Sequence, residues 1–289
     1  MDKTKLATGL LLLGVIFWAA TFTLIKQALQ FIDVFSFLSV RFIIAGLVLT
    51  IIFLPKKIDK KALKYGFYIG LVLSLAITLQ TLGLKFTTAT NAAFITSLNI
   101  IFVAVVVTFL NKALPNKYQI SAVVLATLGT LILTYNPATN FNIGDIIVLF
   151  SAFSYGAHLV AVSRYVKDFD SKLFSITQMY TVGIMTGIVG LFINKKIIFV
   201  SNSTVWVAIL FCAIFASAYV YTVQAFLQKY LSEIKVAILY NLEPIFATII
   251  AFLVISEKIT PKVIIGGALI FIAMFASEYK MKKKVAELA

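Results

Sequence analysis

Apolar residues run along this chain in blocks of about twenty, separated by short polar gaps. The blocks fall at about 6–25, 36–54, 65–84, 89–110 and 119–135, then at about 144–163, 173–193, 205–227, 236–256 and 262–279. A helix needs about 20 mostly apolar residues to cross about 30 Å of hydrocarbon, so the pattern predicts ten membrane-crossing helices. The gaps carry matching punctuation. Pro55-Lys56-Lys57 ends the second block, Pro115-Asn116-Lys117 separates the fourth from the fifth, and Asn136-Pro137 closes the fifth. Thr260-Pro261 opens the tenth, with proline near the helix start where its missing N–H costs little. The loops between blocks leave no room for a domain outside the membrane. Residues 1–25 have the basic start and apolar stretch of a signal peptide. The stretch is too long for a signal core and no small-residue cleavage site follows it, so it is read as an uncleaved first span.

Composition narrows the class. The 289 residues are 61% hydrophobic and 12% charged, about half the charged share of a soluble domain. A single soluble core of this length could not bury that much apolar surface. A soluble enzyme, a disordered chain and a disulfide scaffold are thereby excluded. Cys212 is the one cysteine, so it has no internal disulfide partner and reads as a small hydrophobe. The net charge of +14 would suggest nucleic acid in a soluble protein. Here the basic residues cluster between apolar blocks and form no stripe on a water-facing element, so the partner is the lipid bilayer and not nucleic acid. With the N-terminus cytoplasmic, 18 of the 25 basic residues fall on the cytoplasmic side and 7 on the other. That bias predicts both termini in the cytoplasm, as an even number of spans requires.

The two halves resemble each other in order. An offset of 144 aligns 78–102 with 222–246 without gaps, and seven positions are identical, including the rare pairs Gln80/Gln224 and Lys85/Lys229. An offset of 137 pairs Asp33 with Asp170 and Gly46 with Gly183, and sets Trp18 opposite Tyr155. Five spans per half make the second half enter the membrane from the opposite side. The expected fold is an all-α polytopic membrane protein, ten transmembrane helices arranged as two inverted five-helix repeats, 1–139 and 140–289. Inverted repeats recur in secondary transporters because exchanging the conformations of the halves turns an inward-open cavity outward.

Five motifs in order carry a family resemblance: Gly14-Val15-Ile16-Phe17-Trp18-Ala19-Ala20-Thr21-Phe22, Arg41-Phe42-Ile43-Ile44-Ala45-Gly46, Leu242-Glu243-Pro244-Ile245-Phe246, Glu257-Lys258-Ile259-Thr260 and Gly266-Gly267. Over its whole length the chain resembles the drug/metabolite transporter superfamily, and within it the ten-helix EamA family of metabolite exporters. The first half departs from the second, with Asn99-Ile100 and Ala113 where the second has Glu243-Pro244 and Glu257. The resemblance implies a carrier of the bacterial inner membrane that moves amino acids or similar small metabolites, usually outward. It also implies a central cavity lined by both halves. No cofactor is expected.

Ionisable groups inside spans cost at least about 2.5–3.5 kcal/mol at the bilayer centre, so each asks for a reason. Glu243 lies about 10 Å inside the ninth span, beside Pro244, which removes a backbone donor and frees carbonyls near residue 240. It is a candidate for the substrate's amino group or for a coupling proton; inter-helix hydrogen bonding is the structural alternative. Arg41 lies about 8 Å inside the second span, either snorkelling to the interface or recognising a carboxylate. Trp18 and Tyr155 fall near mid-depth on repeat-equivalent spans, as pocket wall or as helix packing. Asn99 and Asn241 are mid-span amides for the pocket or for inter-helix bonding, and Tyr219 and Tyr240, with Tyr221, are further wall candidates. His158, the one histidine, is either a proton relay or a hydrogen-bonded structural residue, and no metal-ligand spacing surrounds it. Lys26, Lys85 and Lys258 read as snorkelling anchors. Gly183, Gly187 and Gly190 form a small-residue face that either packs internally or dimerises, so monomer and homodimer both stay open.

Other classes fit less well. No His-Glu-x-x-His, Gly-x-Ser-x-Gly or glycine-rich phosphate loop appears, which argues against a membrane enzyme and against ATP-driven transport. Neither a ring of charge nor a carbonyl filter points to a channel. The reading is a secondary carrier of amino acids or related small metabolites. The alternative is a translocator of a lipid or lipid-linked substrate in the same superfamily.

Overall fold

The computed structural model describes residues 3–55, 57–134, 142–195, 200–255 and 261–286. Among these residues there are helices and connecting turns but no strand. The helices are α1 (Lys3–Ala28), α2 (Val34–Phe53), α3 (Lys60–Phe86), α4 (Ala89–Ser97), α5 (Asn99–Asn111), α6 (Lys117–Thr134) and α7 (Ile143–Tyr165). They continue as α8 (Ser171–Asn194), α9 (Ser203–Phe211), α10 (Val220–Leu227), α11 (Glu233–Tyr240), α12 (Glu243–Ile255) and α13 (Pro261–Ala286). A π-helical stretch, Cys212–Tyr219, joins α9 to α10.

Among the described residues the helices group into ten spans, at the positions set by the apolar blocks. Seven stretches among the described residues are long and apolar enough to span a bilayer. The others are α6 and α13, which carry shorter apolar runs, and the broken pair α11–α12. Large apolar side chains cover the outside: Phe109, Phe192 and Phe275 are each more than half exposed, as a lipid-facing surface requires. Asn136-Pro137, Glu257, Lys258 and the expected boundary at 139/140 lie outside the described residues.

Short polar residues start most of the helices by accepting the orphan N–H groups of the first turn, each worth about 0.5–2 kcal/mol. Asp33 caps α2 and Asp170 caps α8, so the pair matched across the repeat does the same work twice. Thr88 and Ser232, related by the offset of 144, cap α4 and α11 through the N–H three residues on. Lys26 is more than a snorkelling anchor. Its Nζ donates to the Leu84 carbonyl at 3.0 Å and to the Thr87 carbonyl, closing the C-terminal end of α3.

The packing follows a pseudo-twofold axis. The helix pairs α2–α8 and α6–α13 cross this axis, each against its own counterpart. At the first, a Cβ on Gly46 would lie 2.9 Å from Tyr180, and one on Gly183 would lie 2.9 Å from Ile43. These are one contact repeated at an offset of 137. Gly187 meets Ser39 in the same seam, so this small-residue face packs internally. At the second crossing a Cβ on Gly129 would lie 2.6 Å from the Gly266 carbonyl, so these equivalent helices also approach backbone to backbone.

Two spans break in mid-membrane at equivalent places. The fourth breaks at Leu98, with ψ −5, and restarts at Asn99. The ninth breaks at Asn241, with ψ −6, and restarts at Glu243. Only the second break has a proline beside it. Proline is therefore not what makes the break; the short interruption belongs to this place in the fold.

Candidate functional site

The two breaks open onto a cavity at mid-depth. It is lined from α1, α2, α3, α7 and α10 and from both broken spans. It offers about 50 Å³ to the centres of water-sized molecules, room for roughly four waters.

Fourteen of the sixteen lining residues form seven repeat-equivalent pairs. An offset of 137 relates Trp18 to Tyr155, Thr21 to His158 and Phe22 to Leu159. An offset of 144 relates Ile77 to Tyr221, Gln80 to Gln224, Thr96 to Tyr240 and Asn99 to Glu243. The cavity therefore sits on the pseudo-twofold axis. Ile25 and Arg41 are the two lining residues without a lining counterpart.

Of the residues singled out from sequence, the cavity brings together Trp18, Arg41, Asn99, Tyr155, His158, Tyr240 and Glu243. Arg41 is 2% exposed and buried rather than snorkelling. Its Nε donates to the Ser217 hydroxyl on the π stretch at 2.9 Å, and its guanidinium carbon lies 4.9 Å from the Phe42 ring centre. Trp18 Nε1 donates to the Ala216 carbonyl at 2.8 Å, satisfying an acceptor on the same stretch. His158 is a hydrogen-bonded wall residue: the Gln178 amide nitrogen lies 2.6 Å from its Nε2, which accepts, and its ring meets Tyr221 edge-on. Glu243 is buried at the restart of the ninth span, and its carboxylate makes no hydrogen bond among the described residues.

Two sequence candidates fall outside the lining. Asn241 faces α6, where it accepts from the Thr130 hydroxyl at 3.1 Å while its amide donates to the Ala237 carbonyl. It acts as inter-helix bonding. Tyr219 packs its ring against Phe17 and donates to the Leu10 carbonyl, so its polar end is used in joining the π stretch to α1.

Sequence reasoning passed over Thr21, Gln80, Thr96 and Gln224 as site residues. Gln80 ties the wall together, accepting from the Tyr155 hydroxyl and donating to Thr96 Oγ1, each at 3.1 Å. Its signal was present: Gln80/Gln224 is a rare identity in the repeat alignment.

Three polar atoms of the lining are buried without a hydrogen-bond partner: Arg41 Nη1, Asn99 Oδ1 and the Tyr240 hydroxyl. Buried polar groups are nearly always satisfied, and each orphan costs about 1–3 kcal/mol. A donor cation, an acceptor and a hydroxyl left open around one cavity are what a polar ligand would complete. Among the described residues no group of three His, Cys, Asp or Glu is placed to hold a metal ion.

Comparison with known proteins bears on what this cavity serves. The model of the EamA-like transporter family matches the chain twice, over residues 5–135 and 142–277. An uncharacterized transporter of Archaeoglobus fulgidus is 35% identical over 268 residues, covering 92% of this chain and 83% of its own length. The uncharacterized transporter YyaM of Bacillus subtilis is 27% identical over 286 residues, covering 93% and 92%. A crystal structure of a protein 15% identical superimposes with a TM-score of 0.78 over 97% of this chain and 99% of its own, a likeness of fold.

Proposed function

The chain belongs to the EamA-like transporter family and is a membrane transporter rather than an enzyme, and from that premise we propose that it exports amino acids or related amine-bearing metabolites by alternating access. In this reading the halves 1–139 and 140–289 rock about the cavity, both termini are cytoplasmic, and the membrane is the bacterial inner membrane. Glu243 is the anchor: it takes the substrate's amino group or carries the coupling proton.

The observation that carries this is the placement of Glu243. A carboxylate deep in hydrocarbon is costly, yet this one stands at the restart of a broken span, lines the cavity, and has no hydrogen bond among the described residues. An ammonium group would satisfy it. The aromatic wall of Trp18, Tyr155, Tyr221 and Tyr240 suits a partly apolar body.

Counterflow in proteoliposomes tests it. Unlabelled amino acid or amine is loaded inside, its labelled form is added outside, and transient accumulation marks a carrier without an imposed gradient. Wild type accumulates at least one amine-bearing compound, and Glu243→Gln lowers that accumulation at least tenfold. Equal accumulation by the two proteins across pH would sink the role of Glu243. No accumulation of any amine-bearing compound by folded wild type would turn the reading toward a lipid-linked substrate.

A further inference from the structure

Resting on the amine site just described, we propose that Arg41 is the second contact of a two-point site. It takes a carboxylate while Glu243 takes the amine, so the cavity selects zwitterions and holds them in one orientation.

Arg41 is permanently charged, almost fully buried, and incompletely satisfied. The Ser217 hydroxyl occupies Nε and the Phe42 ring lies near the guanidinium carbon, but Nη1 has no partner. Uncompensated burial of an ion costs several kcal/mol, and one neutral hydroxyl and one ring face offset only part of it. A planar guanidinium matches the two oxygens of a carboxylate. Glu243 could have been that partner, since it lines the same cavity, yet no ion pair joins the two. Opposite charges that share a cavity without meeting leave a gap for a molecule carrying both.

Repeat symmetry sharpens the inference. The position equivalent to Glu243 is Asn99, and the position equivalent to Arg41, at an offset of 137, is Gln178. Each charge thus has an uncharged amide as its counterpart. A symmetric cavity would accept a substrate in two opposed orientations. One cation from the first half and one anion from the second remove that degeneracy, leaving carboxylate toward α2 and amine toward α12. Ser217 is a positioning residue: it holds Nε and leaves Nη1 facing no protein acceptor.

The test is counterflow with three amino acids, each beside its decarboxylated amine: phenylalanine with phenethylamine, leucine with isopentylamine, lysine with cadaverine. For the transported pair, wild type is expected to favour the amino acid at least tenfold in kcat/KM. A site built around a hydrogen-bonded group rejects analogues that lack it. Arg41→Gln abolishes that preference while still carrying the amine, which also reports that the variant folds. Arg41→Lys restores part of the preference. Wild type that moves both members of a pair equally, or Arg41→Gln with the preference intact, overturns the proposal and leaves the amine site standing. Wild type that moves neither member of any pair overturns both. If Arg41→Gln is inactive toward both classes, Ser217→Ala decides. A raised KM for the amino acid alone supports the proposal, and an equal rise for both compounds overturns it.

Discussion

Asn241 and Glu243 stand two residues apart in the same span and do unlike things. Glu243 opens onto the cavity, whereas Asn241 bonds Thr130 on α6. The break lies between them, Asn241 closing α11 and Glu243 opening α12, so the two polar side chains are aimed by different helices. Replacing Asn241 with leucine therefore removes an inter-helix bond and no substrate contact. We expect unfolding in detergent to show a loss of about 0.6–1.7 kcal/mol, the range for such bonds in membranes. The KM for the transported compound should stay within twofold of wild type; a larger rise would place Asn241 in the site after all. Depth was legible in the sequence, because a polar residue in the middle of an apolar block is conspicuous. Trp18, Asn99, Tyr155 and Glu243 were found that way. Direction was not legible, because it depends on which neighbour each face of the helix meets. Asn241, left open between pocket and inter-helix bonding, takes the second, Tyr219 lies outside the lining, and Gln80 was passed over although its match to Gln224 marked it.

Helix ends were readable wherever a short polar residue precedes an apolar run, as at Asp33, Thr88, Asp170 and Ser232. The interior irregularities were less so. The break at Glu243-Pro244 had a proline to announce it, but the equivalent break at Leu98 and the π stretch had none. Asp59 adds a tertiary link to its cap: its carboxylate accepts the Asp170 N–H at 2.9 Å, fastening the start of α3 to the start of α8. That N–H, with those of Ala62 and Lys61, holds the Asp59 carboxyl below the usual carboxylate range. A group with a lower value folded than unfolded stabilises above its unfolded value and loses that contribution as pH falls through its folded value. Asp59→Asn keeps the cap and removes the charge. Wild type should therefore melt above Asp59→Asn at neutral pH, with the gap closing as pH drops below the usual carboxylate range. A gap that widens in acid would refute the link.

At the scale of the whole molecule, hydropathy and two sequence offsets revealed the plan because a bilayer demands long apolar runs and a duplication leaves matched rarities. How tightly each interface closes was not legible, since it depends on backbone approach. The pair α6–α13 contributes no residue to the cavity, and its crossing, tightest where Gly129 meets the Gly266 carbonyl, joins equivalent helices. The crossing of α3 with α7 is different. There a Cβ on Gly144 would lie 2.7 Å from the Gly83 carbonyl, while the repeat-equivalent residues are Ala7 and Leu227, with side chains in the way. In the alternating access proposed above, where the two halves trade conformations, a crossing between equivalent helices maps onto itself and has no need to change. A contact between unlike positions must take on the geometry of its counterpart. The crossing of α6 with α13 is then an axle, and the crossing of α3 with α7 is a clasp. A cysteine cross-link bridging α6 and α13 beside Gly129 should leave counterflow running, and one bridging α3 and α7 beside Gly83 should stop it until reductant is added.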